Sequence, residues 1–249
     1  MCLRDMKVIF RPNGFDEEFV KGAIIELLKA LDYLHSCASV VHTGTYDNDV
    51  FRRLEETELE SPVARKLLSP TRTIYLSRAM RPKGGPMLLC DFGEARIGPG
   101  PHTGHIMPLQ YRAPEILLHV EWSYPVDIWS VGLTAWDLLE PKNLFTTQDE
   151  NSDICDAAHL AQLIAALGPP PPEFLAKNPE RNAEFWDDKG EWLGLAPIPE
   201  SRTFESLESR LEDKSGFLQF LRRTLTWMPE QRATARELLE DPWLTDEHS

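Results

Sequence analysis

The stretch Asp127–Leu139, DIWSVGLTAWDLL, decides the fold of this chain. Its apolar side chains would surround a helix on nearly every side. A helix that is apolar all round is buried, whereas a surface helix keeps one polar face. The stretch therefore predicts a helix at the centre of a helical domain, with other elements packed around it.

Helical patterns also precede and follow this central helix. Residues 16–36 repeat apolar side chains at helical spacing, and Asp16 is a candidate N-cap. Residues 153–167 predict a further helix. It ends at Gly168 and the prolines that follow, because proline cannot continue a helix.

Near the end of the chain, residues 216–227 predict another helix, and Thr234 with Glu237 has the pattern of a capping box that opens a last short helix. Strand patterns are few. Residues 86–90, PMLLC, predict a short buried strand, and residues 73–76, TIYL, form one β-like patch. The chain is therefore predicted to be mainly α.

Composition and charge restrict the classes of function. Of the 249 residues, 42% are hydrophobic, which is enough for a sizeable core. The formal net charge of -14 disfavours direct binding of nucleic acid and favours a basic peptide partner, unless the acidity only maintains solubility.

The four cysteines form no CxxC pair, which disfavours a zinc site or a disulfide framework. No run of about 18 apolar residues occurs, so we predict no membrane contact and a cytoplasmic or nuclear location.

Five motifs occur in a fixed order along the chain. They are LDYLH at 31–35, LLCDFGEA at 88–95, YRAPE at 111–115, DIWSVG at 127–132, and Arg232. This order resembles the catalytic-loop half of a eukaryotic protein kinase. The resemblance implies a mainly α, protein-kinase-like fold, with a large helical C-lobe, a few short strands, and the small N-lobe missing.

Further segments narrow the resemblance. RTIYLSR at 72–78, HLAQLIAALGPPP at 159–171 and LLEDPWL at 238–244 are similar to the SR-protein kinase family, especially its fungal members. The resemblance implies one kinase-like domain over residues 1–249, with residues 50–86 as an insertion between the catalytic loop and Asp-Phe-Gly. It also implies ATP and Mg²⁺ as cofactors and an Arg/Ser-rich protein or peptide as the partner.

The resemblance assigns a role to each retained residue. Asp91 matches the aspartate that holds Mg²⁺ against the nucleotide phosphates, with a turn-capping aspartate as the alternative. Phe92 and His42 would stack in a buried spine. Asp127 would accept a hydrogen bond from the backbone of the catalytic loop.

Glu115 and Arg232 match a buried ion pair of the kinase fold. Removing one partner of such a pair costs about 3 to 5 kcal/mol, because the other charge stays buried and unpaired. Together with His42, Phe92 and Asp127, these two residues are expected to be structural.

The loop VHTGTYDNDVF, residues 41–51, departs from the kinase pattern. Kinases use H-x-D-x-K-x-x-N, in which Asp accepts the substrate proton, Lys contacts the transferring phosphate and Asn holds a second Mg²⁺. Counted from His42, these positions hold Gly44, Tyr46 and Asp49. Glycine cannot accept a proton and neutral tyrosine cannot replace an ammonium, although Asp49 remains a competent Mg²⁺ ligand.

Two alternatives remain open for this loop. A one-residue gap would bring Asn48 to the metal position, and Asp47 could act as a relocated base. The stretch before residue 16 contains no glycine-rich phosphate loop and no V-A-I-K-type lysine, which is why the small lobe is expected to be missing.

A second histidine motif, HTGH, lies in the segment that matches the activation loop. His102 and His105 could ligate a metal, but no acidic or cysteine partner is adjacent, so an ordinary flexible loop is favoured. Thr103 is a candidate phosphorylation site. Thr43 stands where phosphorylation-switched kinases carry arginine, which removes the nearest cation for such a phosphate.

Three functional hypotheses follow. The first is a serine/threonine kinase-like protein of the SR-protein kinase family that is catalytically impaired and acts as a binding or scaffold pseudokinase. The second is a truncated form of an active ATP-dependent serine/threonine kinase. The third is a non-functional remnant.

Overall fold

The computed structural model describes residues 11–42, 65–69, 72–75, 87, 89, 91–148, 155–211 and 214–245. Gly44, Tyr46 and Asp49, with most of the predicted insertion at 50–86, lie outside this description.

The predicted central helix is present as α3, Pro125–Leu139. Eleven of its residues are buried, including Trp129 and Trp136, which are 0% and 1% exposed. Gly132 allows a close approach of α8, Ser215–Thr224, because a Cβ at this position would overlap Thr224 Oγ1. The prediction of a helix buried on all sides is therefore confirmed.

The first helix, α1, spans Glu17–Tyr33 and packs against α3. Asp16 caps it as predicted, since the Phe19 backbone N–H donates to Asp16 Oδ1 at 3.0 Å. The helix continues into a π-helical turn, Leu34–Ala38, which ends at Ser39 in the left-handed region.

The remaining helices surround α3 and α1. They are α2 (Pro114–Leu117), α4 (Asp156–Leu167), α5 (Pro172–Leu175), α6 (Pro179–Asn182), α7 (Phe204–Leu207), α8 (Ser215–Thr224), α9 (Ala235–Leu239) and α10 (Pro242–Thr245), with 3₁₀ turns at Leu109–Tyr111 and Pro229–Gln231.

The capping box that opens α9 is confirmed. Thr234 Oγ1 accepts from the Glu237 backbone N–H, and the Glu237 carboxylate accepts from the Thr234 backbone N–H. The sequence did not predict α10, which begins at Pro242.

Two sheets of two strands each lie in the described residues. β1 (Val40–Val41) pairs antiparallel with β4 (Arg96–Ile97). β2 (Arg65–Ser69) pairs antiparallel with β3 (Arg72–Tyr75) inside the predicted insertion.

The strand predictions were accurate only in part. The β-like patch at 73–76 corresponds to β3, but its partner β2 was missed because RKLLS lacks the alternation of a strand. The strand predicted at 86–90 is wrong at its two described residues. Met87 and Leu89 are outside any strand, and Met87 is 37% exposed.

One large hydrophobic core joins α1, α3 and α8 with the chain around α2. Phe15, Ile24, Trp129 and Phe217 all belong to it. Among the described helices, none combines the length and the apolar character needed to cross a membrane.

Candidate functional site

The pairing of β1 with β4 brings two sequence motifs together. His42 follows β1 directly, and Phe92 lies shortly before β4. Their ring centroids are 4.9 Å apart in an edge-to-face contact. Phe92 is 38% exposed, so this contact lies at the surface of the described residues and not in a buried spine.

Asp91 stands at the entrance to the turn formed by the DFGE motif. Its φ is 77°, in the left-handed region, which aspartate tolerates better than most residues. The Ala95 backbone N–H donates to Phe92 O at 3.2 Å and closes the turn. Asp91 is exposed, so its carboxylate is open to a cation beside the contact between His42 and Phe92.

Asp127, in the first turn of α3, is 6% exposed, and its carboxylate contacts the chain at the start of the loop. Its Oδ2 accepts a hydrogen bond from the His42 backbone N–H at 2.9 Å. The same oxygen lies 2.8 Å from His35 Nε2. One carboxylate oxygen therefore ties the end of α1 and the start of the loop to the central helix.

His35 is a structural contributor that sequence reasoning missed. It lies within LDYLH, but its partner Asp127 is 92 positions away, and no local pattern signals such a contact. Its ring also stacks on Tyr124, with ring centroids 4.6 Å apart. His35 therefore helps to orient the same Asp127 oxygen that accepts the His42 backbone N–H.

Glu115 and Arg232 form the ion pair that the sequence predicted. The two guanidinium nitrogens lie 2.6 and 2.7 Å from the two carboxylate oxygens, and both side chains are 0% exposed. Arg232 also donates to Pro125 O at 3.0 Å and to Thr226 O at 3.1 Å. A buried pair with this many hydrogen bonds offsets much of its desolvation cost.

The segment with the HTGH motif is held by Trp122. The backbones of His102 and Trp122 exchange two hydrogen bonds of 2.9 Å, and Trp122 Nε1 donates to Gly104 O at 3.1 Å. The ring of His105 instead contacts His119, with ring centroids 5.0 Å apart. His102 and His105 thus have different partners, and the described residues contain no group of three or more potential metal ligands.

His159 in α4 is a buried titratable group, 1% exposed. Burial, then the charges of Arg112 and Arg202, lowers its pKa to about 3. Its Nε2 has no hydrogen-bond partner among the described residues. His159 therefore stays neutral near pH 7 and packs as a core residue against Phe145.

Comparison with known proteins gives three concordant findings. A family model described as the protein kinase domain matches residues 76–244. A serine/threonine protein kinase of Aspergillus fumigatus is 45% identical over 97% of this chain, which spans 62% of that relative's length. SRSF protein kinase 3 of Mus musculus is 31% identical over 63% of this chain and 28% of its own length.

A solved structure supports the same fold. The crystal structure of a kinase domain superimposes with a TM-score of 0.69 at 23% identity, covering 97% of this chain and 70% of that one. The family model spans more than half of the chain, and the helical architecture around α3 agrees with it. This chain belongs to the protein kinase domain family.

Proposed function

We propose that this chain binds a basic, Arg/Ser-rich peptide as a kinase-like scaffold, with phosphoryl transfer impaired at the catalytic loop. The observation that carries the proposal is a contrast within that loop. Asp127 and His35 hold the loop at His42, whereas the position of the general base in the motif is Gly44.

The loss of the general base alone predicts a large fall in the rate of phosphoryl transfer. A general base contributes about 10² to 10⁴ in rate, and glycine has no group to accept the proton. Tyr46 stands at the lysine position, so the charge that would meet the transferring phosphate is also replaced. These two substitutions reduce transfer without removing a residue that supports the fold.

Nucleotide and Mg²⁺ fit this site in part. Asp91 is an exposed hard oxygen ligand, and Mg²⁺ is commonly held by one or two carboxylates together with substrate phosphates. Asp49 would be the second protein ligand by its position in the sequence. A bound Mg²⁺ would neutralise charge on the phosphates, while Asp91 would orient the ion beside Phe92.

A basic peptide is the partner that charge favours. The chain has 40 acidic and 26 basic side chains, and a mammalian relative is named as an SRSF protein kinase. Exposed carboxylates occur at Glu94, in the DFGE turn, and at Glu121, next to the Trp122 that holds the HTGH segment. Carboxylates of this kind accept paired hydrogen bonds from arginine.

Calorimetric titration tests the binding claim. A short peptide of alternating Arg and Ser should bind this chain at low salt, and more weakly at moderate salt because screening reduces the attraction between charges. A matched peptide of alternating Glu and Ser is the control and should give no binding heat. If the Arg/Ser peptide fails to bind in both buffers, the proposal is wrong.

An active ATP-dependent serine/threonine kinase is the second candidate. It is favoured by the 45% identity to a relative of which this chain spans 62%. Incubation of the full-length gene product with Mg-ATP and the Arg/Ser peptide separates the two candidates. Phosphoserine at a rate typical of kinases would support the second, and binding without phosphoserine the first.

A further inference from the structure

A cavity of about 320 Å³, open to solvent, lies between the end of α1, the start of α3 and the chain that opens α9. Its lining includes Asp32, Tyr124, Ile128, Ala233 and two arginines, Arg232 and Arg236. The charge of Arg232 is already neutralised by Glu115, and both of these side chains are 0% exposed. Ligand pockets in proteins begin at about 300 Å³, so a small molecule of one or two rings would fill this cavity.

Small and aromatic side chains line much of the cavity. Ala233, Ala235 and Pro125 are among them. His35 and Tyr124 also line it, and their rings are stacked with centroids 4.6 Å apart. These two rings and the apolar side chain of Ile128 suit a flat ring.

The mouth carries an ion pair whose partners differ in exposure. Arg236 Nη2 lies 3.1 Å from Asp32 Oδ2, and the two side chains are 70% and 27% exposed. An anionic ligand on Arg236 would place a second negative charge beside the Asp32 carboxylate, and the two like charges would repel each other. A cationic ligand on Asp32 would release Arg236 into water, which costs little because exposed ion pairs contribute little to stability.

The lining offers one carboxylate to a ligand. Asp32 is the one acidic residue among those that line the cavity. An aromatic wall adds an attraction for a cation that lies over a ring.

We propose that this cavity is a binding site for a small aromatic amine, with the ring between Tyr124 and Ala233 and the ammonium group on Asp32. The site is distinct from the face that carries Asp91, and it does not depend on peptide binding or on phosphoryl transfer. His35 connects it to the loop, because the same side chain lines the cavity and contacts Asp127.

Two probes with the same ring and opposite charges test the ligand class. Tryptamine and indole-3-propionate are titrated separately into the full 249-residue chain, with binding followed by calorimetry and by the shift in melting temperature. Tryptamine is expected to bind and to raise the melting temperature. Indole-3-propionate is expected to do neither.

Three variants locate the binding. Ala233→Phe fills the cavity and should abolish tryptamine binding, and Asp32→Asn should weaken it by about tenfold or more because the charged acceptor is lost. Arg236→Gln is the matched control at the mouth. It removes the competing cation, so tryptamine should bind this variant at least as tightly as the unmodified chain.

Specific outcomes overturn the proposal. One is the absence of tryptamine binding to the unmodified chain. Another is binding that survives both Ala233→Phe and Asp32→Asn, since the probe would then lie elsewhere. Preferential binding of indole-3-propionate that is lost in Arg236→Gln would assign the cavity to anions instead. Because Asp32→Asn and Arg236→Gln change residues at the mouth, the test stands even if Ala233→Phe does not fold.

Discussion

Two arginines four positions apart in the sequence make opposite kinds of ion pair. Arg232 is bound to Glu115 with both side chains 0% exposed, and it also donates to two backbone carbonyls. Arg236 is bound to Asp32 at the mouth of the cavity, with 70% of its side chain exposed. The same chemistry therefore fixes the fold at one position and leaves an exchangeable contact at the other.

The difference shows how burial decides which ion pair supports the fold. Burial makes the contacts of Arg232 costly to break, because neither charge can return to water. Exposure makes the contact of Arg236 easy to replace, because water and salt screen it. Asp127 belongs with the first group, since it is buried and holds both His35 and His42.

The largest expected effect is at the buried pair. Glu115→Ala should lower the free energy of unfolding by about 3 to 5 kcal/mol, because Arg232 would stay buried without its counter-charge. Urea denaturation followed by circular dichroism measures this difference.

A double variant tests whether the loss of stability comes from the charge that is left unpaired. Glu115→Leu combined with Arg232→Met removes both charges and should cost less than Glu115→Ala alone. A double variant that is less stable than Glu115→Ala would show that the pair contributes net stability, contrary to our interpretation.

Asp127 should give the next largest effect. Asp127→Ala leaves the His42 N–H and the His35 ring without their acceptor, which should cost about 1 to 3 kcal/mol for a buried unsatisfied group. Asp127→Asn keeps the shape and one acceptor oxygen, so it should cost less. Denaturation of the two variants side by side provides the measurement, and equal losses would contradict the role of the acceptor.

His159 tests the effect of burying a titratable side chain. Its pKa of about 3 in the folded chain lies below the ordinary value of 6.5, so between these values the unfolded chain binds the additional proton. Stability should therefore be lost as the pH falls below 6.5, by up to about 1.4 kcal/mol for each pH unit. Melting curves at several pH values should show this dependence reduced in His159→Leu. If the stability of His159→Leu depends on pH as strongly as that of the unmodified chain, other titratable groups cause the dependence.

The smallest effect is expected at the exposed pair. Arg236→Gln should leave the free energy of unfolding nearly unchanged, and the small change should shrink further at high salt. Thermal melting at two salt concentrations checks this. A loss as large as that of Glu115→Ala would remove the distinction between the two arginines.

Features with a local pattern could be predicted from the sequence. The apolar surface of α3, the N-cap at Asp16 and the capping box at Thr234 each depend on residues a few positions apart. The pairing of Glu115 with Arg232 came from the resemblance to kinases. The proximity of β1 and β4 follows from that fold, but neither strand is long enough to give a pattern of its own.

Other features depend on contacts that no local pattern encodes. The bond from His35 to Asp127 joins residues 92 positions apart, and the cavity is formed by three separate stretches of chain. Strand β2 was missed because its sequence lacks alternation. The catalytic positions 44, 46 and 49 lie outside the described residues, so their roles remain predictions from the sequence.

The central claim is that the loop keeps its support but has exchanged the groups that act on a substrate. The most direct test compares phosphate transfer from Mg-ATP to an Arg/Ser peptide by the full-length gene product and by its Gly44→Asp, Tyr46→Lys double variant. We predict that the double variant is faster by about 10² or more, because it regains a general base. A wild-type protein that transfers phosphate as fast as the double variant would contradict the claim.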